Sequence, residues 1–336
     1  MALDSLEQLR KHTTIVVDSA DFDILPQYKP QDVTTNPLHI MTATKLPKFN
    51  WILEKAARYG LEKSTEAAEQ EPAALLQLLV TFGAEILKRI PGRTSTEVDA
   101  IHSFDKDATI RVAREIIAMY EELGISKERV LIKIVSTWEG LQAARVLERD
   151  HGIHCNMTAI FSVHQATLAA EAGCTLISPF VARTTDWYYK NRPQRDYTGW
   201  KGPGVKLVDE IFKSYHSKGS KTEIMAASLR TMDEISKLSG LQLMTLNAGT
   251  LAELRSEVVP MTKSLDADKV SAMANGHPKD IKPVFLDNEE KFRLAMFLDQ
   301  PGTDKLDEAI RIFLDAGKET TALLRAKMDS LVNASA

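Results

Sequence analysis

The chain has 336 residues, 44% of them hydrophobic and 26% charged, with a formal net charge of -4. This is the balance of a globular protein with ample apolar material for a large core, and it argues against disorder. The charges are scattered with no strong basic face, which excludes an electrostatic reason to expect nucleic acid or an anionic membrane as a partner.

The N-terminal stretch MALDSLEQLRKH is acidic early and amphipathic, and no run of about 18 apolar residues occurs anywhere, so neither export nor a membrane span is expected. The first strand-like run is 13–19, TTIVVDS, followed by 32–36, DVTTN, then 93–98, RTSTEV, and 130–136, VLIKIVS. Four more follow at 154–160, 176–180, 222–228 and 241–247, bounded by polar and small residues in the manner of strands. Between them, residues 37–59, 72–89, 107–123, 138–150 and 163–173 carry helical periodicity, with Asp105 or Asp107 and Gly124 as reasonable caps for the third. Strands alternating with helices predict parallel βαβ units, and eight such units suggest a single α/β domain of the closed (β/α)8 TIM-barrel type. The tail, 263–331, reads as helices packed on the outside of the barrel, with a long one beginning near Thr303 and Asp304. The stretch 188–204, rich in aromatic, basic, Pro and Gly residues, reads as a functional loop after the sixth strand. Cys155 and Cys174, the two cysteines, sit in apolar strand segments and are expected to be reduced thiols in a cytoplasmic protein.

In a parallel barrel the reactive end is the carboxyl end of the strands, which makes the polar residues closing each run the candidates for chemistry. Asp18, Thr35, Asn36, Ser95, Glu97, Lys133, Asn156, Thr158, Ser178, Ser228 and Arg230 are at or near such ends. Ser95 and Glu97 share a strand face, as do Asn156 and Thr158, and each pair can face the barrel axis. Lys133 stands amid Val130, Leu131, Ile132, Ile134 and Val135. Alone, such a lysine reads as one that snorkels along apolar surface. With company it reads differently, because burial disfavours an ammonium and frees a neutral amine for Schiff-base chemistry. Asp18 and Glu97, each closing a different strand, can supply the proton transfers that an iminium intermediate needs, although a single carboxylate there is often only a helix cap. Arg183 and Arg230 follow the sixth and seventh strands, where barrel phosphate sites are often built; solvated loop arginines are the plainer alternative. His151 and His154 are better explained as structural or exposed than as metal ligands, and the 188–201 loop fits a substrate cover better than a platform for single-stranded nucleic acid.

Seven blocks together are similar to the transaldolase family in its long bacterial and eukaryotic cytosolic form: VVDS (16–19), YKPQDVTTNP (28–37), FGAEILKRIPGRTSTEVDA (82–100), SFDKDA (103–108), GISKERVLIKIVSTWEG (124–140), HGIHCNMT (151–158) and TLISPFVAR (175–183). The resemblance implies a (β/α)8 barrel, commonly a homodimer, that works without metal or organic cofactor. It would move a dihydroxyacetone unit from sedoheptulose 7-phosphate or fructose 6-phosphate to erythrose 4-phosphate or glyceraldehyde 3-phosphate in the non-oxidative pentose phosphate pathway. Carried across the matching motifs, it gives Lys133 the Schiff base, Asp18 the proton of the hydroxyl at the cleaved bond, and Glu97 with Thr158 the catalytic water. Asn36, Asn156, Ser178 and Phe180 would orient the dihydroxyacetone part, with Ser95 beside them on the substrate side. Arg183, Ser228 and Arg230 would bind phosphate. Four positions depart from the family pattern: Leu38, Ala182, Leu229 and the Leu246-Asn247 pair, which stand for Ser, Gly, Phe and Ser-Pro. These departures keep two other expectations open, a specialised paralogue acting as a hydrolytic aldolase or on another sugar, and a non-catalytic sugar-phosphate-binding barrel.

Overall fold

The computed structural model describes residues 3–274 and 283–335. Eight parallel strands close into a barrel in sequential order. They are β1 Thr14–Asp18, β2 Asp32–Thr34, β3 Thr94–Glu97, β4 Val130–Val135, β5 Cys155–Ile160, β6 Leu176–Pro179, β7 Glu223–Ala226 and β8 Leu243–Leu246. Pairing of β1 with β8, Thr14 opposite Leu243 and Val17 opposite Leu246, shuts the ring. All eight predicted runs form strands.

Side-chain alternation divides each strand between two cores. Val16, Leu131, Leu176, Met225 and Leu243 form a buried cluster of their own inside the barrel. Their strand neighbours Ile15, Val17, Ile132, Ile177, Ile224 and Met244 join the large core shared with the surrounding helices. The apolar run around Lys133 is thus two interleaved sets: Ile132 and Ile134 face the helices, while Leu131 and Lys133 share the interior face.

The helices begin on side-chain caps just beyond the strand ends. Asn36, Thr137 and Asn247 cap Pro37–Thr44, Trp138–His151 and Ala248–Ser256, and Ser162 and Thr231 make full capping boxes for Val163–Glu171 and Met232–Leu238. The predicted helix 37–59 is two helices, Pro37–Thr44 and Asn50–Lys63. Pro47 lacks an amide hydrogen and holds Leu46 extended (φ -78°, ψ 128°), which breaks the first from the second. The predicted loop 188–204 is shorter: the helix Val181–Asn191 runs into it and Pro203–Lys218 starts within it. Tyr188 and Tyr189, in the last turns of that helix, pack their rings on Tyr197, so an aromatic-rich composition hides a helical end.

In the C-terminal part, Ala267–Met273, Glu289–Leu298 and Gln300–Ser335 are helical, and the portion of the predicted tail at 275–282 lies outside the described residues. The last helix does more than flank the barrel. It contacts Pro37–Thr44, Asn50–Lys63, Val181–Asn191 and β5. Its Ala309, Ile310 and Phe313 are buried against Val135, Ala159, Phe161, Phe180 and Ala227 at the carboxyl ends of the strands. No described helix is long and apolar enough to cross a membrane.

Candidate active site

Two residues beyond each member of the interior cluster, on the same strand face, stand Asp18, Lys133, Ser178, Ala227 and Thr245. All five line one cavity of about 230 Å3 at the carboxyl end of the barrel. Strand periodicity therefore builds an apolar floor and sets the reactive groups directly above it. Asn36, Phe180, Arg183, Ser228 and Arg230 complete the predicted part of the wall. A larger hollow of about 610 Å3, lined by Cys174, Thr175, Thr222 and Glu223, lies by the amino ends of β6 and β7 and holds none of these groups.

Lys133 is 3% exposed. Its neighbours in the sheet register are Glu97 on β3 and Asn156 on β5. Its ammonium donates to the Thr35 carbonyl at 2.9 Å and stands 3.3 Å from Glu97 Oε2. That is ion-pair range without hydrogen-bond alignment, and neither Glu97 oxygen has a hydrogen-bond partner among the described residues. Burial pushes the Glu97 carboxyl up to about 7; Lys133 opposes the shift, and Asp99 and Asp18 add to it. This carboxyl can gain or lose a proton near neutrality. Thr158, fully buried one layer above Asn156, also has a hydroxyl without a partner among the described residues.

The Asn156 amide is fixed from both sides, donating to Ser95 Oγ at 3.0 Å and accepting from Ser178 Oγ at 2.6 Å. Ser95, Glu97, Asn156 and Thr158 are buried behind the cavity face of Lys133, whereas Asp18 is partly open to it. Neither predicted carboxylate is a helix cap. The turns that follow them are capped by Asp21 and Asp99 instead. Asp18 Oδ1 lies 3.3 Å from His39 Nδ1.

The rims of β6 and β7 are zipped together. Phe180 bridges to Ala227, and the amides of Val181 and Ala182 donate to the carbonyls of Ala227 and Ser228, each at 2.9 Å. Ser228 sits in the left-handed region at φ 56°, a conformation that a non-glycine residue holds only when its surroundings impose it. This zipper sets Arg183 beside Ser228. Arg183 is enclosed over the Phe180 ring, 5.4 Å from its centroid, and its Nη1 has no partner among the described residues. Burial lowers its pKa from the ordinary arginine value, with Glu308 opposing. A half-buried guanidinium with an N–H unpartnered among the described residues at a cavity wall has the chemistry to receive an anion. Arg230 differs: its fork is taken by Asp186 at 2.8 and 2.9 Å, facing solvent, and Asp186 holds its pKa above the usual value.

Of the departures, Leu38, Leu229 and Asn247 line the cavity, while Ala182 lies behind it at the start of its helix, outside the left-handed region that would call for glycine. Five lining residues are not among the sequence candidates: Thr34, Ala227, Thr245, His39 and Phe313. Thr245 was open to detection by parity, two residues after Leu243. His39 and Phe313 are on helices, where no strand-end rule applies. His154 precedes β5 at the far end of the barrel and contacts Thr175 Oγ1 and Glu128 Oε2, each at 2.9 Å. Among the described residues no cluster of three or more His, Cys, Asp or Glu could hold a metal ion.

Residues 15–324 match the family model described as Transaldolase/Fructose-6-phosphate aldolase. The chain is 44% identical to the transaldolase of Bos taurus over 98% of its own length and 96% of the relative's. It is 47% identical to Transaldolase NQM1 of Saccharomyces cerevisiae over 93% and 92% of the two chains, and 46% identical, over the same shares, to the Saccharomyces cerevisiae transaldolase. A barrel whose interior lysine faces a buried carboxylate, matched along nearly its whole length to these enzymes, belongs to the transaldolase/fructose-6-phosphate aldolase family.

Proposed function

We propose that the protein acts as a transaldolase, moving a dihydroxyacetone unit from sedoheptulose 7-phosphate or fructose 6-phosphate to glyceraldehyde 3-phosphate or erythrose 4-phosphate. The observation that carries this reading is the buried Lys133 ammonium, 3.3 Å from Glu97, on a cavity it shares with Asp18 and Arg183. In its neutral form the amine adds to the ketose carbonyl, and loss of water gives an iminium. Asp18 takes the proton of the hydroxyl at the bond to be cleaved, the carbon–carbon bond breaks, and its electron pair passes into the iminium. An aldose phosphate leaves. The same steps run backwards onto the acceptor aldehyde, Asp18 returning its proton to the new hydroxyl, and water then releases the ketose from Lys133. Because the iminium is itself the electron sink, the reaction calls for no metal or organic cofactor.

Glu97 and Thr158, whose side-chain oxygens have no hydrogen-bond partner among the described residues, are suited to hold the water that is lost and regained, and a carboxyl at about 7 can exchange a proton with it at neutral pH. The Ser95–Asn156–Ser178 chain, with Asn36 and Phe180, orients the dihydroxyacetone part. Arg183 takes the phosphate with Ser228, and Arg230 assists from the rim. Borohydride reduction in the presence of fructose 6-phosphate tests the scheme: the adduct mass is expected on the peptide holding Lys133, and an adduct absent from that peptide overturns it. Release of free dihydroxyacetone in excess of acceptor-dependent transfer would make a hydrolytic aldolase the better description.

The same reading makes the protein a cytoplasmic enzyme of the non-oxidative pentose phosphate pathway and a homodimer. Exposed Phe104, Leu294, Phe297 and Leu298 offer apolar surface for a second copy. Light scattering of the purified chain distinguishes dimer from monomer.

A further inference from the structure

The Asn36 cap that starts the helix Pro37–Thr44 accepts the His39 amide at 2.9 Å, fixing His39 in the first turn beside the end of β1. Its imidazole Nδ1 is 3.3 Å from Asp18 Oδ1, both residues line the reaction cavity, and each side chain is about a quarter exposed. Nδ1 itself is enclosed and has no hydrogen-bond partner among the described residues. His39 is also the one basic side chain in ion-pair range of Asp18 among the described residues. The other charged groups around the pair are otherwise placed. Lys133 and Glu97 face each other across β3 and β4. Arg183 and Arg230 are on the wall formed after β6 and β7, the second bound to Asp186. On the elements packed against this helix, Lys45 pairs with Glu319, and Lys48 with Asp21 and Asp23.

We propose that His39 is a positioning residue for Asp18, a role that rests on the reading of Asp18 as the proton acceptor in carbon–carbon cleavage. Turned so that its N–H points at Oδ1, the ring holds the carboxylate in one rotamer and leaves Oδ2 to receive the substrate proton. In the condensing half of the reaction the same contact favours return of that proton to the new alkoxide, since Asp18 regains its charge beside the donor. His39 therefore acts on the step after iminium formation and leaves capture of the donor by Lys133 unchanged.

The test compares His39→Leu, His39→Asn and Asp18→Asn with the wild type, measuring kcat and KM for transfer from fructose 6-phosphate near neutral pH. H39L is expected to lower kcat about tenfold, the size of one charge-assisted hydrogen bond, with KM changed less than about twofold. Borohydride is still expected to trap substrate on Lys133 in H39L. H39N, whose amide nitrogen can stand where Nδ1 does, is expected to recover most of kcat. An unchanged kcat in H39L overturns the proposal, and so does H39N matching the defect of H39L while keeping native circular dichroism, which would assign His39 to packing. If H39L fails to fold, His39→Ala takes its place under the same two outcomes. Wild-type turnover in D18N would instead overturn the role of Asp18 itself.

Discussion

A lysine within VLIKIV reads as an error of burial until the alternate residues are separated, after which only the interior face is unusual. On that face Lys133 has Leu131 beneath it and Glu97 and Asn156 beside it. Glu97 bears the stability consequence. Its folded value of about 7 lies above the ordinary 4.5, so the native state keeps a proton that the unfolded chain releases. The sign follows: this contribution to stability is full below about pH 4.5 and is lost as pH rises through about 7. Glu97→Gln is expected to flatten the dependence of unfolding free energy on pH between about 5 and 8, as measured by denaturant titration at several pH values. The two arginines give a sharper contrast. Arg183→Ala, which removes a half-buried guanidinium whose Nη1 has no partner among the described residues, is expected to raise KM for fructose 6-phosphate about 50-fold. Arg230→Ala, whose fork is already held by Asp186, is expected to raise it only about fivefold. Steady-state kinetics on the two variants check the order. The sequence made the strand-end residues legible because barrel geometry converts position along a strand into position at the site. It could not disclose that Arg230 is paired, since Asp186 carries no mark in the sequence that sets it apart from other helix acids.

At the scale of elements, the strands were the most legible because each is a short run, most of them apolar or β-branched, with polar residues at or just beyond its end. Helix boundaries were less so. The break at Leu46-Pro47 follows directly from proline chemistry, yet the apolar periodicity on both sides concealed it. The segment at 188–204 misled through composition: its tyrosines pack on one another at a helix end, and Pro203 opens the next helix in a position that suits its fixed φ. That second helix is seated on the first with unusual closeness. A Cβ at Gly204 would come within 1.9 Å of the Val181 carbonyl oxygen, at the turn that carries Arg183. Gly204→Ala is therefore expected to cost about 1–3 kcal/mol of stability and to raise KM as the arginine shifts. Thermal melts and kinetics on the same variant should report both effects together.

For the whole molecule, the C-terminal helix is the part least visible in the sequence. Helical periodicity predicted it, but nothing in an amphipathic pattern tells which face of a barrel it covers. The answer lies in Phe313, 2% exposed, which reaches the strand ends and lines the same cavity as Lys133 and Asp18. Phe313→Ala is expected to destabilise the fold by about 3–5 kcal/mol, measured by denaturant unfolding, and to increase water-dependent release relative to transfer by opening the mouth. The division of each strand between two cores has one more consequence, for how the gene can change. Deleting a single residue early in β4 would carry Lys133 to the helix side and bring Ile134 or Ile132 inside, leaving a barrel of nearly the same composition with its amine buried in the wrong layer. Substitutions explore the chemistry of this site one letter at a time, whereas a frame-preserving deletion in a stave removes it in one step.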